Sequence, residues 1–181
     1  MIAALLCGPA VQSTKPPAVA RPNLISKESN VTSAHGFATT EDNAKRRLIW
    51  HGLVLFFLGL LTGFVIPAMV SPRLGMSAHV EAILNGMFLI LVGGIVWDWL
   101  VLSHRIATAV CWLLLYAAYG SWLFCLLAAA FGASQMLPIA GAGHHALPWQ
   151  EQLVTAGLGT VGVSMTVACA FVLYGMRKGP K

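Results

Sequence analysis

Four stretches of this chain are long and apolar enough to cross a membrane. Residues 48–70 read LIWHGLVLFFLGLLTGFVIPAMV, and residues 80–102 read VEAILNGMFLILVGGIVWDWLVL. Residues 106–133 read IATAVCWLLLYAAYGSWLFCLLAAAFGA, and residues 153–176 read LVTAGLGTVGVSMTVACAFVLYGM. A spanning helix needs roughly 20 apolar residues, and each run meets that length. Hydrocarbon offers no partner to open backbone groups, so spans are helices or strands of closed barrels. No segment shows the ~10-residue alternation of a barrel strand. Composition agrees: 57% of residues are hydrophobic and 9% charged, against about 25% charged in soluble domains. The expected fold is all-α, an integral membrane four-helix bundle.

The placement of charge orients it. Lys45, Arg46 and Arg47 precede the first run, Arg105 lies between the second and third, and Arg177, Lys178 and Lys181 follow the fourth. Residues 134–152 contain no Lys or Arg, and the first connection holds only Arg73. Positive charge is retained on the cytoplasmic side, so both termini are expected inside (N-in/C-in) and the 134–152 loop outside. No basic patch interleaved with aromatics argues for nucleic-acid binding. Residues 45–177 form the expected membrane domain, with 178–181 a short cytoplasmic tail.

Residues 1–44 are rich in Ser, Thr, Pro and Asn and lack a sustained apolar period, and we expect a disordered cytoplasmic tail there. The first eleven residues are apolar but too short to span, and they lack the positive start of a signal peptide. Cys7, Cys111, Cys125 and Cys169 form no CxxC and read as small packing residues. Gly157, Gly159 and Gly162 match GxGxxG, but a nucleotide fingerprint needs a preceding strand. Inside an apolar helix they read as packing residues, as does the GxxxG of Gly59 and Gly63.

The informative polar groups are His79, Glu81 and Asn85. In an apolar helix each is costly and a functional candidate. Helical periodicity puts Glu81 and Asn85 on one face and His79 nearly opposite Glu81. The helix thus offers an imidazole to one neighbour and a carboxylate–amide pair to another. Alternatively, His79 and Glu81 lie at headgroup level where the second span opens. His51 sits near the cytoplasmic end of the first span, at a different depth from His79, so a bis-His haem within one subunit is hard to build. His144 and His145 lie in the outer loop. Trp112, Tyr116 and Tyr119 fall at i, i+4 and i+7 on the third span, with Ser121 and Trp122 following. Such a stripe packs a core or walls a flat aromatic substrate or porphyrin, and buried Tyr hydroxyls need partners.

The segments GLLTGFVIPAMVSPRLGMSAHVEAILNGMFLILVGG and PIAGAG…WQEQLVTAGL resemble the hydroxylaminobenzene mutases. More distantly, His51-Gly52 and the AHxxxxxNGM of residues 78–87 resemble the styrene oxide isomerases. The likeness covers about residues 46–176. It implies a small membrane isomerase of a bacterial inner membrane, assembled as a homotrimer with haem b at the subunit interfaces. It implies His79 as the iron's axial ligand and Asn85 on the substrate side. The isomerases place an acid and a tyrosine on the third span where this chain has Leu114 and Trp122, with Tyr116 and Tyr119 nearby.

The expected reaction is the mutase one, in which an aryl hydroxylamine such as hydroxylaminobenzene becomes 2-aminophenol, with ferric haem as Lewis acid. Tyr116 and Tyr119 are candidates for packing the ring and Glu81 for moving a proton. His51 and Trp122 are candidates for contacts to the cofactor. The alternative within the family is epoxide-to-aldehyde isomerisation. Outside it, a haem- or quinone-binding electron-transfer subunit needs a second axial ligand, and the third span has no histidine. A small transporter would favour ionisable residues at mid-membrane.

Overall fold

The computed structural model describes residues 24–141 and 143–177, with side chains from Asp42 onward. Residues from Ala38 form one compact unit. Among the described residues there are four α-helices: α1 (Leu24–Val65), α2 (Pro72–Gly94), α3 (His104–Phe131) and α4 (Pro148–Met176). Their apolar portions, Asp42–Ala68, Pro72–Gly94, His104–Phe131 and Pro148–Met176, are each long enough to cross a bilayer. The chain is therefore a multi-pass membrane protein with four spanning helices. Residues 1–23 of the expected tail and residues 178–181 lie outside the described residues. From Leu24 the backbone is helical, further back than the apolar pattern reaches.

Local chemistry sets the helix boundaries. Pro72 and Pro148 stand at the first turns of α2 and α4, where a missing N–H costs nothing and the fixed φ suits the helix. Gln150 Oε1 accepts from the Leu147 N–H at 2.9 Å and covers one of the open donors of α4. Gly132 ends α3 at φ 71°, a left-handed turn that suits glycine.

The span expected at 80–102 is displaced. Pro72 starts α2 eight residues earlier, and the chain leaves the helix after Gly93-Gly94 for a 3₁₀ turn over Val96–Trp99. His79 is thus not at the opening of the span. It lies about 10 Å in from the start of α2, and Glu81 about 13 Å in, at 1.5 Å per residue. The expectation that Glu81 sits near a helix end is not met, since it lies well inside the 23-residue α2. Asp98, in the 3₁₀ turn, is ion-paired with Lys45 of α1.

Small residues bring α1 against α2. A Cβ on Gly52 would meet the Gly86 carbonyl oxygen at 2.7 Å, and one on Gly86 would meet that of Gly52 at 2.7 Å. Higher in the pair, Gly59 lies against Ala82 and Ile83, and Gly63 against the His79 ring. A core of Leu48, Leu55, Leu89, Val110, Leu114 and Val172 joins helices α1 to α4. Of the GxGxxG glycines, Gly157 packs on the Phe124 ring, whereas Gly159 and Gly162 face open space.

At the opposite end from Lys45, the 134–147 connection is tied to α4 by one carboxylate. Glu151 accepts from the backbone N–H of Ser134 (3.0 Å), Gln135 (3.0 Å) and Ala146 (3.3 Å). The Ser71 N–H donates to the Ala129 carbonyl at 3.1 Å, joining this end to the turn before α2.

Candidate active site

α2 lies between α1 and α3, and its polar side chains divide between them as the periodicity predicts. His79 turns to α1. Its Nδ1 lies 2.7 Å from the Gly59 carbonyl oxygen. A carbonyl only accepts, so Nδ1 carries the proton and Nε2 the lone pair. Nε2 has no partner among the described residues. Gly63 makes room for the ring, since a Cβ there would stand 3.2 Å from both Cε1 and Nδ1. The half-buried imidazole is thus held in one tautomer by a backbone acceptor, as ligating histidines commonly are.

Glu81 and Asn85 turn to α3. Asn85 Nδ2 donates to Glu81 Oε1 at 3.2 Å, and the Ser121 hydroxyl donates to the same oxygen. Asn85 is 8% exposed and Ser121 6% exposed. Both donors converge on Oε1, so that oxygen carries no proton. Asn85 Oδ1 and Glu81 Oε2 have no hydrogen-bond partner among the described residues.

The other expected site residues separate. Trp122 Nε1 donates to Thr62 Oγ1 at 3.0 Å, and Thr62 donates onward to the Leu58 carbonyl at 2.8 Å. Trp122 therefore braces α3 to α1 at the depth of His79. His51 Nδ1 lies 3.1 Å from the Tyr119 hydroxyl. Because Gly52 faces Gly86 and Ile90, His51 lies roughly 10–16 Å along the bundle from His79. The structure does not bring the two histidines together, as their expected depths required.

The aromatic stripe of α3 does not form a single wall. Trp112 stacks under Arg47 at 5.3 Å, Tyr116 bonds Thr160 of α4 at 3.0 Å, and Tyr119 meets His51 of α1. The i, i+4, i+7 spacing spreads over enough arc for the neighbours on either side to divide it. Ser121 joins the site through its bond to Glu81, which the residue pattern does not foretell. Its only signal was a hydroxyl at a buried helical position, and its partner lies 40 residues away. His144 is half-buried with Nδ1 unpartnered, and His145 is exposed.

These features define a class: a four-span membrane protein whose second helix carries an open imidazole and a braced carboxamide on different faces. The chain belongs to the styrene oxide isomerase family, whose profile matches residues 44–177. Two relatives sharpen this. The chain is 43% identical over 143 residues to the hydroxylaminobenzene mutase HabB of Ectopseudomonas oleovorans, covering 78% of this chain and 87% of the relative. It is 39% identical over 128 residues to HabA of the same organism, covering 70% and 94%. The chain is a membrane isomerase of the mutase type. No solved structure matches it.

Proposed function

We propose that this isomerase converts an aryl hydroxylamine such as hydroxylaminobenzene into the corresponding 2-aminophenol. The observation that carries the reading is the division of α2, with His79 Nε2 open on one side and Asn85 held by Glu81 on the other. The two mutase relatives support the same chemistry. The reaction is balanced within one molecule. The N–O bond breaks, a C–O bond forms at the ortho carbon, and the proton leaving that carbon is replaced by one gained at nitrogen. No oxidant or reductant is consumed.

The donor set fits haem b at His79, with the Gly59 carbonyl fixing the ligating tautomer and Gly63 leaving the ring its space. Ferric haem supplies a Lewis acid for the hydroxylamine oxygen when bound. Asn85 orients the polar end of the substrate, and Glu81 Oε2 is an acceptor for the ring proton. The exposed apolar face of α2, with Leu84, Met87 and Leu91, suits a water-excluding contact with a neighbouring subunit. The reading includes a homotrimer with haem between subunits, in a bacterial cytoplasmic membrane. It is consistent with α2 presenting that apolar face outward.

The test is product analysis of the detergent-purified protein with phenylhydroxylamine and styrene oxide in parallel, without reductant, alongside its absorption spectrum. The reading expects 2-aminophenol and a Soret band that His79→Ala abolishes. A colourless active protein sinks the haem assignment. Phenylacetaldehyde as the sole product supports epoxide isomerisation, which the family profile favours as the second reading.

A further inference from the structure

The polar face that α2 turns towards α3 is unusual in what it leaves open. Asn85 is 92% buried, yet only its Nδ2 end is engaged. Glu81 receives both of its hydrogen bonds on Oε1. Two acceptor oxygens, Asn85 Oδ1 and Glu81 Oε2, are therefore left without protein donors, one turn apart on the same helix face. Neither oxygen is sealed among the described residues, so a ligand can reach both. The amide has no freedom to flip. Glu81 Oε1, which also receives the Ser121 hydroxyl, only accepts here, so it selects the NH₂ end of Asn85 and directs the oxygen away. Ser121 reinforces the choice by fixing Oε1 from α3.

We infer that Glu81, besides the proton-accepting role proposed for its Oε2, locks the Asn85 amide through Oε1 so that the site presents acceptors and selects ligands that bring their own N–H or O–H donors. The inference rests on the proposed mutase reading for its substrate, since an aryl hydroxylamine carries one N–H and one O–H. An epoxide carries neither and leaves both oxygens bare. Sites built around hydrogen bonds reject analogues lacking the group far more strongly than apolar pockets reject size differences. Donor selection therefore explains how a styrene oxide isomerase scaffold is turned to hydroxylamines by residues on one helix face.

The experiment compares two inert ligands that share the ring and lack an N–O bond. Aniline and N,N-dimethylaniline are measured as competitive inhibitors of phenylhydroxylamine turnover by the intact detergent-purified protein. Burial of two extra methyl groups alone favours N,N-dimethylaniline by about ten-fold. Donor recognition reverses that order, so the wild-type protein is expected to bind aniline more tightly. Glu81→Gln, which also removes the proposed proton acceptor and is therefore read by direct binding of the two anilines, releases the amide, and the preference for aniline is expected to fall by ten-fold or more. Ser121→Ala keeps the carboxylate and is expected to reduce the preference by a smaller factor. Tighter binding of N,N-dimethylaniline by the wild-type protein overturns the inference without any variant. So does an unchanged preference in a folded Glu81→Gln protein. If no 2-aminophenol forms, the mutase reading fails by itself. The ligand preference, then read by direct binding, still decides whether the acceptor pair selects donors.

Discussion

Gly63→Ala is the perturbation that most directly separates the chemistry of His79 from the packing of the bundle. The added Cβ stands 3.2 Å from Cε1 and Nδ1 of the imidazole, where ordinary contact lies at 3.4–4 Å. The ring has to recede by about 0.2–0.8 Å. Added to the 2.7 Å bond from Nδ1 to the Gly59 carbonyl, the upper figure leaves about 3.5 Å, beyond the normal N–H···O range. A neutral hydrogen bond contributes about 1 kcal/mol, so the loss in stability is at most of that order. Loss of an outer-shell partner of a ligating histidine costs about 10–100-fold in affinity or activity. The expected result is a protein with nearly wild-type thermal melting in detergent and a 10–100-fold lower kcat/KM for 2-aminophenol formation. If His79 holds haem as proposed, its occupancy, read from the Soret band relative to protein, falls with it. Wild-type activity and occupancy in Gly63→Ala would refute the claim that the Gly59–Gly63 cradle positions His79.

Other outcomes follow from the same geometry. Gly86→Ala places a Cβ 2.7 Å from the Gly52 carbonyl and 2.8 Å from the Phe56 nitrogen. Both neighbours are backbone, so α1 and α2 must separate, and thermal melting should show a loss of about 1–3 kcal/mol as in overpacked cores. Trp122→Phe removes the bond to Thr62 Oγ1 but leaves that hydroxyl bonded to Leu58. Its stability cost is about 0.6 kcal/mol, typical of interhelical hydrogen bonds in membranes, and an effect above ~2 kcal/mol in unfolding measurements contradicts the brace described. Glu151→Ala frees three backbone donors of the 134–147 connection. Amide hydrogen exchange at Ser134, Gln135 and Ala146 should accelerate while exchange in the middle of α3 does not change.

Much of the fold was legible because lipid leaves a chain few choices. Four apolar runs dictate four helices, and periodicity alone predicted that His79 would face one neighbour and Glu81 and Asn85 another. Helix boundaries were less legible. Hydropathy dropped at Pro72–Ser77, so the apolar pattern began α2 near Val80, whereas Pro72 at the first turn set the true start. That shift carried Glu81 from an expected interface to the helix interior. The partners of the α3 aromatics were not legible, because the spacing fixes which side chains neighbour one another but not which helix each will meet. Ser121 was silent for the same reason. Its meaning comes from Glu81 across the helix interface, and a serine in an apolar run announces no partner. The GxxxG of Gly59 and Gly63 was read as packing, and the structure adds that what it admits is an imidazole.

The central claim is that the hydroxyl moves within one substrate molecule, from nitrogen to the ortho carbon. Its most direct test uses phenylhydroxylamine carrying ¹⁸O in the hydroxyl group, incubated with the purified protein in unlabelled water and followed by mass spectrometry. The account predicts 2-aminophenol that retains the label. Product that has lost the label to solvent, or 4-aminophenol as the main product, contradicts it.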